Sequence, residues 1–402
     1  MNAVSQKIKA FNASLLPEII KRKYELLSED PFRFYRGTNH LFCEDLVRMA
    51  TLPASPNVWL SGDLHLENFG SYKGDNRQVY FDISDFDEGM LGPALQEVTR
   101  MVTSIFVGCE TLHVSNSNTE KCAKTFLKSY SGTLALGKAR HIELGTANGI
   151  IKNLLEKVNE RKVEKWQKKR IEENDKGNLV FKKIEDKQLE IKDKKLKKAL
   201  IDHITRMTLY NDDSLNTFRV LDACFRIAGT GSLGFRRYLF LLETETDKKR
   251  YWLLDMKQSR QSSLYHYLQV KQSAWTSEAE RVINIKVMMQ DVPEALLTAT
   301  FFNGEYFIVQ EMQPTEDKVE FHQVKNDFNH VYALMADMGM LTASAQLRSS
   351  GMKGSAIADE LIAFGKNDQW QSNILTYSKE YANHVKNDYE QYLADYNNGF
   401  FE

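Results

Sequence analysis

Two short acidic motifs near the start of the chain combine residue types that could carry out phosphoryl transfer. The first is residues 62–68, GDLHLEN, and the second is residues 85–87, DFD. Phosphoryl transfer needs a carboxylate near the attacking hydroxyl and oxygen ligands that hold Mg²⁺ against a triphosphate. In this interpretation Asp63 orients or deprotonates the acceptor hydroxyl, while Asn68 and Asp85 hold the metal. The spacing therefore predicts an ATP- and Mg²⁺-dependent phosphotransferase site.

His65 and Asp87 are the other candidate groups in these motifs. His65 is placed with Asp63 as a catalytic candidate, although a hydrogen bond that braces the loop is the commoner use of histidine in such a position. Asp87 is either a further metal ligand or the cap of a helix that follows. The simpler interpretation of Asp63 and Asp85 is that they are turn or cap acids, which are frequent beside strands and helices.

A short hairpin is predicted to join the two motifs. Residues 69–72 and 78–83 have the composition of short strands, and residues 73–76, KGDN, have that of a tight turn. Such a hairpin would bring Asn68 and Asp85 close together.

A glycine-rich segment far downstream, residues 229–234, fits the pattern G-x-G-x-x-G. Dinucleotide-binding folds and kinases both use this pattern, so its context decides between them. A dinucleotide fold needs a helix that starts within the glycines and an acid about twenty residues later, which Asp255 could supply. The following residues instead predict strand, turn and strand, over 235–242 and 251–257. We therefore predict a loop that covers phosphates, with binding residues Gly229, Thr230, Gly231, Ser232 and Gly234.

The second of these strands ends in Lys257, which we expect to contact the α- and β-phosphates. In kinases a lysine on the third strand holds the phosphates and pairs with a glutamate from a neighbouring helix. The predicted helix at 277–290 offers Glu280 for that pair, with Glu278 as the other choice.

The segment 306–314 is predicted to be a buried strand that runs into a linker. Backbone groups at such a linker could hold adenine, which makes Gln310 and Met312 candidate binding residues. The alternative is an ordinary edge strand that ends at Pro314.

The composition limits the class of protein without selecting a function. The 402 residues can bury a large core and divide by length into two or three units. The formal charge of -1, from 53 basic and 54 acidic residues, gives no overall attraction to nucleic acid or to an anionic membrane. The four cysteines are scattered, so neither a zinc site nor a disulfide framework is expected. No leader pattern and no run of about 18 apolar residues is present, so we expect a cytoplasmic protein.

Coarse patterns along the chain predict mostly helices outside the motifs. Residues 1–60 predict helices, with residues 32–37, FRFYRG, as an aromatic and basic turn between them. A charged stretch from about residue 156 to residue 198 alternates in sign. That alternation predicts a solvated helix pair around a turn at 176–178, in preference to an arm that binds polyanions.

Taken together, these motifs resemble a bacterial family, that of the domain of unknown function 2252. The resemblance covers most of the chain outside residues 150–200, and it is most specific over residues 62–70. The segment 62–65, GDLH, is also similar to a loop of the aminoglycoside phosphotransferase-like kinases. The resemblance rests on residues 34–37 (FYRG), 62–70 (GDLHLENFG), 85–88 (DFDE), 92–93 (GP), 229–234 (GTGSLG) and Lys257. It implies a kinase-like site for ATP and Mg²⁺ but brings no established substrate.

The fold that the resemblance implies is α+β and kinase-like, with two lobes in a circularly permuted order. Kinases place the glycine loop and the lysine before the catalytic loop, whereas here the acidic motifs come first. We expect residues 1–210 to form most of a mainly helical large lobe, with a charged insert at 150–200. Residues 211–315 would form a small antiparallel β-sheet lobe that binds the nucleotide, and residues 316–402 would return as helices to the large lobe. Permutation is tolerated where chain termini lie close together at the surface.

Two departures from the related kinase loops affect how the first acidic loop is braced. Residues 94–110 predict an apolar helix that packs beneath this loop and carries Glu97. Ser61 stands where related loops often have histidine, and Glu97 stands where a buried aspartate would be expected. Neither departure removes a metal ligand, so we expect the nucleotide site to be kept and the bracing to differ.

The sequence leaves the activity and the acceptor open. One alternative is a nucleotide-binding module that keeps the fold without transfer activity. Another is a metal-dependent hydrolase built on Asp63, His65, Asp85 and Asp87. A small hydroxylated metabolite, a protein side chain, or transfer of AMP in place of phosphate would all suit the same acidic loop. The kinase hypothesis requires that two groups of residues far apart in the chain converge on one cleft.

Overall fold

The protein has an α+β fold in which a buried helical core lies beside an antiparallel sheet. The computed structural model describes residues 3–49, 51–161, 166–210, 218–229, 231–244, 250–312, 318–324 and 327–402. None of the helices in those ranges combines the length and apolar character that crossing a bilayer requires.

Helices and strands alternate in groups along the chain. The helices are α1 (Ala3–Phe11), α2 (Pro17–Glu29), α3 (Pro31–Gly37), α4 (Asn39–Met49), α5 (Ala94–Thr111), α6 (Asn116–Leu136), α7 (Gly149–Asn159), α8 (Lys194–Tyr210), α9 (Glu278–Met289), α10 (Phe321–Val324), α11 (Phe328–Arg348), α12 (Ala358–Lys366) and α13 (Trp370–Asn397). The strands are β1 (Asn57–Leu60), β2 (Phe69–Lys73), β3 (Val79–Ile83), β4 (Met90–Pro93), β5 (Ile142–Glu143), β6 (Ile171–Glu173), β7 (Leu179–Phe181), β8 (Gln188–Leu189), β9 (Phe218–Arg226), β10 (Arg237–Thr244), β11 (Tyr251–Gln258), β12 (Thr298–Phe302) and β13 (Glu305–Glu311).

The predicted aromatic turn at residues 32–37 is helical instead. Pro31 occupies the first turn of α3, and the carboxylate of Asp30 accepts a hydrogen bond of 2.8 Å from the N–H of Arg33. An acidic cap followed by proline satisfies the free N–H groups at a helix start, so the segment folds as a helix.

The helical core is built around α5, which is buried along nearly its whole length. This helix confirms the one predicted at 94–110, and α11 lies within residues 316–402, which were predicted to be helical. Helix α11 packs closely on α6 at Gly339, where an added Cβ would lie 2.4 Å from the carbonyl oxygen of Phe126.

A six-stranded antiparallel sheet with the order β12-β13-β11-β10-β9-β8 forms the second part of the molecule. Strands β10 and β11 confirm the two strands predicted after the glycines, whereas residues 245–249 of the predicted turn lie outside the described ranges. Strand β13 pairs with β11 on one side and β12 on the other, so the alternative of an edge strand is wrong. Its internal position fits the buried run Phe307, Ile308 and Val309.

The charged stretch does not form the predicted solvated helix pair. Within residues 156–198 lie the end of α7, the three strands β6, β7 and β8, and the start of α8. Ile171, Phe181 and Ile191 are buried among side chains of the sheet, because isolated apolar residues in a charged background still have a core to join. Strand β8 pairs with β9, and residues of α8 pack in the core of the same sheet. The β-rich unit therefore begins before residue 211, where the sequence predicted its start.

The hairpin predicted between the acidic motifs is confirmed. Strands β2 and β3 pair in antiparallel register, with Phe69 opposite Ile83. The turn between them closes with a hydrogen bond of 2.9 Å from the N–H of Gly74 to the carbonyl of Gln78. Both acidic loops therefore begin or end at the same end of one hairpin.

Candidate active site

Helix α5 fixes the loop that carries Asp63 through Glu97. One carboxylate oxygen of Glu97 accepts hydrogen bonds from the N–H of Ser61 (2.5 Å), the hydroxyl of Ser61 (2.7 Å) and the N–H of Gly62 (3.2 Å). Gly62 has φ +86°, and an added Cβ would lie 2.0 Å from the carbonyl oxygen of Glu88, so only glycine fits. The brace anticipated at Glu97 is present, and Ser61 completes it in place of histidine.

Arg100, one turn further along α5, holds the side chain of Asp63. Its Nε and Nη2 lie 3.0 and 2.8 Å from the same oxygen, Oδ1. The guanidinium is buried and lies 3.7 Å from the centroid of the Tyr35 ring. Among the described residues, no hydrogen bond reaches the other carboxylate oxygen of Asp63. Burial raises the pKa of Asp63, and the attraction of Arg100 offsets only part of that rise.

Asn68 joins the two acidic loops to each other. Its Nδ2 donates to the carbonyl of Asp63 (3.1 Å) and to that of Asp85 (3.2 Å). Its Oδ1 accepts from the N–H of Asp85 at 2.8 Å. The side chain proposed as a metal ligand is thus also the structural link between Asp63 and Asp85.

His65 braces its own loop, which is the commoner role that the sequence suggested. Its Nδ1 accepts a hydrogen bond of 3.1 Å from the N–H of Glu67 and thereby caps the 3-10 turn Leu66–Asn68. Burial lowers the pKa of His65 well below its usual value, so the ring stays neutral. The neutral ring therefore positions the loop. Because Nδ1 already accepts a hydrogen bond from the backbone, this nitrogen has a structural role and not a direct catalytic one.

The two distant groups of residues meet at Lys257. Its ammonium on β11 donates to the carboxylate of Asp87 and lies 3.8 Å from Oδ2 of Asp85. Attraction to these two acids outweighs burial and raises the pKa of Lys257. Burial would raise the pKa of Asp85, but Lys257 and neighbouring cations hold it below its usual value. Burial and the charge of Asp85 raise the pKa of Asp87.

Asp87 does not cap a helix. The residues after it form a turn and then β4, and the residue that precedes α5 is Pro93. Its carboxylate contacts Lys257 beside Asp85, so of the two roles predicted for Asp87 only that of a further metal ligand is compatible with the fold.

Two cavities meet at this group of charges. The aspartate cavity, of about 110 Å³, is lined by Asp63, Arg36, His40, Glu88 and Phe11. The lysine cavity, of about 170 Å³, is lined by Lys257, Arg237, Lys286, Gln310 and Ile308. Each volume has room for several waters or small polar groups. The wall common to both cavities consists of Asp85, Asp87, Gly229, Ser232 and Lys318.

The glycine segment is a loop between two antiparallel strands, β9 and β10, so a dinucleotide fold is excluded here. Gly229 and Gly234 have positive φ of 79° and 92°, a conformation that glycine adopts readily. Helix α2 and the residue that precedes it hold the loop from outside. The N–H of Leu16 donates to the carbonyl of Gly234 (3.0 Å), and the buried ammonium of Lys23 donates to that of Gly231 (2.8 Å). Thr230 lies outside the described residues.

The acid considered for a dinucleotide fold has a structural role instead. Asp255 is buried on β11 between two guanidinium groups, with Arg226 at 2.9 Å and Arg237 also in contact. Paired in this way, Asp255 keeps two cations in place on the wall of the lysine cavity.

The predicted pair of Lys257 with Glu280 does not form. The carboxylate of Glu280 accepts hydrogen bonds from the N–H and the hydroxyl of Thr276, and Glu278 pairs with Arg281 at 2.6 Å. Helix α9 instead presents Lys286 to the cavity, because the N-cap at Ser277 places both glutamates in the exposed first turn.

Of the two residues predicted to hold adenine, only Gln310 lines the lysine cavity. Its Oε1 accepts a hydrogen bond of 3.2 Å from Lys286, which also pairs with Glu294 at 2.6 Å. Met312 packs in a separate cluster with Leu253, and its N–H donates to the carbonyl of Leu253 at 2.8 Å. The backbone N–H of Met312 is therefore already used, and residues 313–317 lie outside the described ranges.

A protein-family model described as "Uncharacterized protein conserved in bacteria (DUF2252)" matches the chain from residue 15 to residue 395. The chain belongs to the DUF2252 family. Comparison of this DUF2252 chain with curated proteins and with solved structures gave no match. The four cysteines of this family member are free and buried, as the scattered spacing predicted.

Two cations of this DUF2252 chain were missed by sequence reasoning. Lys318 lies in the wall common to both cavities, and its ammonium donates to the carbonyl of Glu67 at 2.6 Å. Arg36 pairs with the carboxylate of Glu67 at 2.5 Å and lines the aspartate cavity. Arg36 belongs to the FYRG motif and could have been found there, whereas Lys318 stands in no motif.

Proposed function

We propose that this chain is an ATP- and Mg²⁺-dependent phosphotransferase that acts on a hydroxyl-bearing acceptor. We further propose that its architecture is a two-lobed, kinase-like fold with permuted order, in which the six-stranded sheet acts as the small lobe and the helical part as the large lobe. The meeting of Lys257 with Asp85 and Asp87, at the wall between the two cavities, is the observation that carries the proposal.

The donor set suits a magnesium nucleotide. The carboxylates of Asp85 and Asp87 are hard oxygen ligands of the kind that Mg²⁺ prefers, and the amide oxygen of Asn68 accepts a hydrogen bond from the N–H of Asp85. When bound, Mg²⁺ would supply positive charge against the phosphate oxygens. Lys257 now neutralises the same two acids, so it stands within reach of any group that binds there.

Each residue then has a chemical role that its contacts support. Arg100 occupies Oδ1 of Asp63, which leaves the other oxygen to accept a proton from a hydroxyl in the aspartate cavity. The raised pKa of Asp63 strengthens it as a base, because a general base works best when its pKa approaches the working pH. Lys257 would hold the phosphates, and the glycine loop would cover them.

The test is Mg²⁺-dependent binding and turnover of ATP by the wild type, Asp63→Asn and Asp85→Asn. We expect Asp63→Asn to bind ATP and to lose about 10²–10⁴-fold in turnover, as is typical when general base catalysis is removed. Asp85→Asn should weaken binding only when Mg²⁺ is present. Asp75→Asn, in the exposed turn of the hairpin, is the matched control.

Labelled ATP separates the alternatives. Transfer of label from the γ position indicates a phosphotransferase, and transfer from the α position indicates transfer of AMP. ATP binding without any turnover that depends on Asp63 would indicate an inactive nucleotide-binding module. Metal binding in the absence of nucleotide, with no effect of Lys257→Met, would indicate the hydrolase.

A further inference from the structure

Lys318 occupies a position that the proposed roles leave unused. Its side chain lines both the aspartate cavity and the lysine cavity, together with Asp85 and Asp87. A group that passes from a nucleotide in one cavity to an acceptor in the other must cross this shared wall. A cation at the crossing point is therefore close to the path of transfer.

The absence of a carboxylate partner among the described residues distinguishes Lys318 from three other cations of the lysine cavity. Lys257, Lys286 and Arg237 each pair with a carboxylate. Among the described residues, no carboxylate lies within ion-pair distance of Lys318. Its single hydrogen bond goes to the carbonyl of Glu67, and an ammonium has three N–H donors. The other two N–H donors of the Lys318 ammonium thus have no partner in the described part of the chain.

The backbone holds this cation in a fixed relation to the acidic loops. Lys318 forms an antiparallel bridge with Gly70, on the strand that begins directly after Asn68. The backbone of Lys318 is therefore held by β2, and its ammonium is held by the carbonyl of Glu67. Such anchoring reduces the loss of side-chain freedom when a ligand binds.

A negatively charged group at the wall would complete these contacts. A terminal phosphate carries several acceptor oxygens and a negative charge that the ammonium of Lys318 would partly balance. Burial, together with repulsion from Arg36, lowers the pKa of Lys318 to about 8, and attraction to a bound anion would oppose both effects.

We propose that Lys318 contacts the terminal phosphoryl group of ATP while that group is transferred, an inference that rests on the proposed function. In this step the acceptor oxygen forms a bond to the γ-phosphorus, and the bond from that phosphorus to the β–γ bridging oxygen breaks. The acceptor proton goes to Asp63, and ADP leaves with the electron pair of the broken bond. Lys318 offsets the negative charge on the transferred oxygens throughout.

The test compares the affinities of MgATP and MgADP, because only ATP carries the group that Lys318 contacts. Titration calorimetry is performed on the wild type, Lys318→Met and Lys318→Arg, with Lys271→Met as a control at an exposed lysine. We expect Lys318→Met to weaken MgATP binding roughly ten- to hundredfold, the usual effect of losing a charge-assisted hydrogen bond. MgADP binding should change by less than about threefold, and Lys318→Arg should recover part of the loss, because arginine keeps the charge.

The outcomes separate this inference from the proposed function. If the wild type binds both nucleotides and Lys318→Met weakens both equally, or neither, then Lys318 does not contact the terminal phosphate and the inference is overturned. If the wild type binds neither nucleotide, the proposed function fails and this inference fails with it. Should Lys318→Met unfold, Lys318→Gln measures the same difference with a polar side chain of similar length.

Discussion

The brace between α5 and the Asp63 loop makes a prediction that is independent of any activity. Replacing Glu97 with alanine removes a carboxylate that accepts four hydrogen bonds. One oxygen accepts from the amide of Gln346, and the other accepts from the hydroxyl of Ser61 and from the backbone N–H groups of Ser61 and Gly62. Glu97 is only 2 % exposed, so water does not replace these contacts in the folded protein. The hydroxyl of Ser61 can rotate to another acceptor, whereas the two N–H groups cannot.

The expected loss follows from these two N–H groups. A buried donor left without a partner costs about 1–3 kcal/mol, so two cost about 2–6 kcal/mol. Removal of a buried carboxylate returns part of this cost, because burial raises the pKa of Glu97 and its charged form is disfavoured. We therefore expect Glu97→Ala to lower the free energy of unfolding by about 2–4 kcal/mol.

Urea unfolding followed by tryptophan fluorescence measures this loss in the free energy of unfolding. Glu97→Gln keeps an oxygen that can accept from the backbone, so its loss should be smaller than that of Glu97→Ala. Glu156→Ala, an exposed position in the middle of α7, controls for the loss of a glutamate from a helix. A loss below about 1 kcal/mol for Glu97→Ala, or no difference from Glu156→Ala, would refute the reasoning, since no buried donor would then have been left unpaired.

Two further predictions concern packing and pH. Gly339→Ala should destabilise the protein by about 1–3 kcal/mol in urea unfolding, because the added Cβ would meet the backbone of Phe126. Gly132→Ala, on the facing helix, adds a Cβ in open space and should stabilise the protein by about 0.5–1 kcal/mol. Equal effects of the two substitutions would contradict this packing. Burial works to raise the pKa of Asp255, but its two guanidinium partners, Arg237 among them, lower it to about 2 from 3.8. Because the folded pKa is lowered, the contribution of this carboxylate is complete above the unfolded value and is lost as the pH falls through about 2. The difference in free energy of unfolding between the wild type and Asp255→Asn should therefore narrow as the pH falls from about 5 to 3. A constant difference would show that the pKa of Asp255 is not lowered in the folded protein.

Patterns that are local in sequence predicted local structure well. The hairpin at residues 69–83, the buried helix at 94–110 and the strand pair after the glycines follow from alternation, apolar spacing and turn residues within one segment. The convergence of Lys257 on Asp85 was predicted only by treating the two motifs as parts of one chemistry.

Features decided by tertiary contacts were missed. Strands β6 to β8 are short and lie in a strongly charged sequence, and their few apolar residues join the sheet only because the sheet is there. Glu280 has the right residue type, but its place in the first turn of α9 directs it to Thr276. Lys318 became visible as a site residue only once the bridge to Gly70 placed it between the cavities.

If the chain binds ATP as proposed, the contact between Lys23 and the glycine loop affects the exchange of nucleotide. If the loop lifted away from α2, the ammonium would lose its carbonyl partner while still surrounded by protein, and a buried cation without a partner is costly. Opening of this cover is therefore coupled to the position of a helix that comes from the other part of the molecule. We expect substitutions in α2, remote from every phosphate contact, to change how fast spent nucleotide departs.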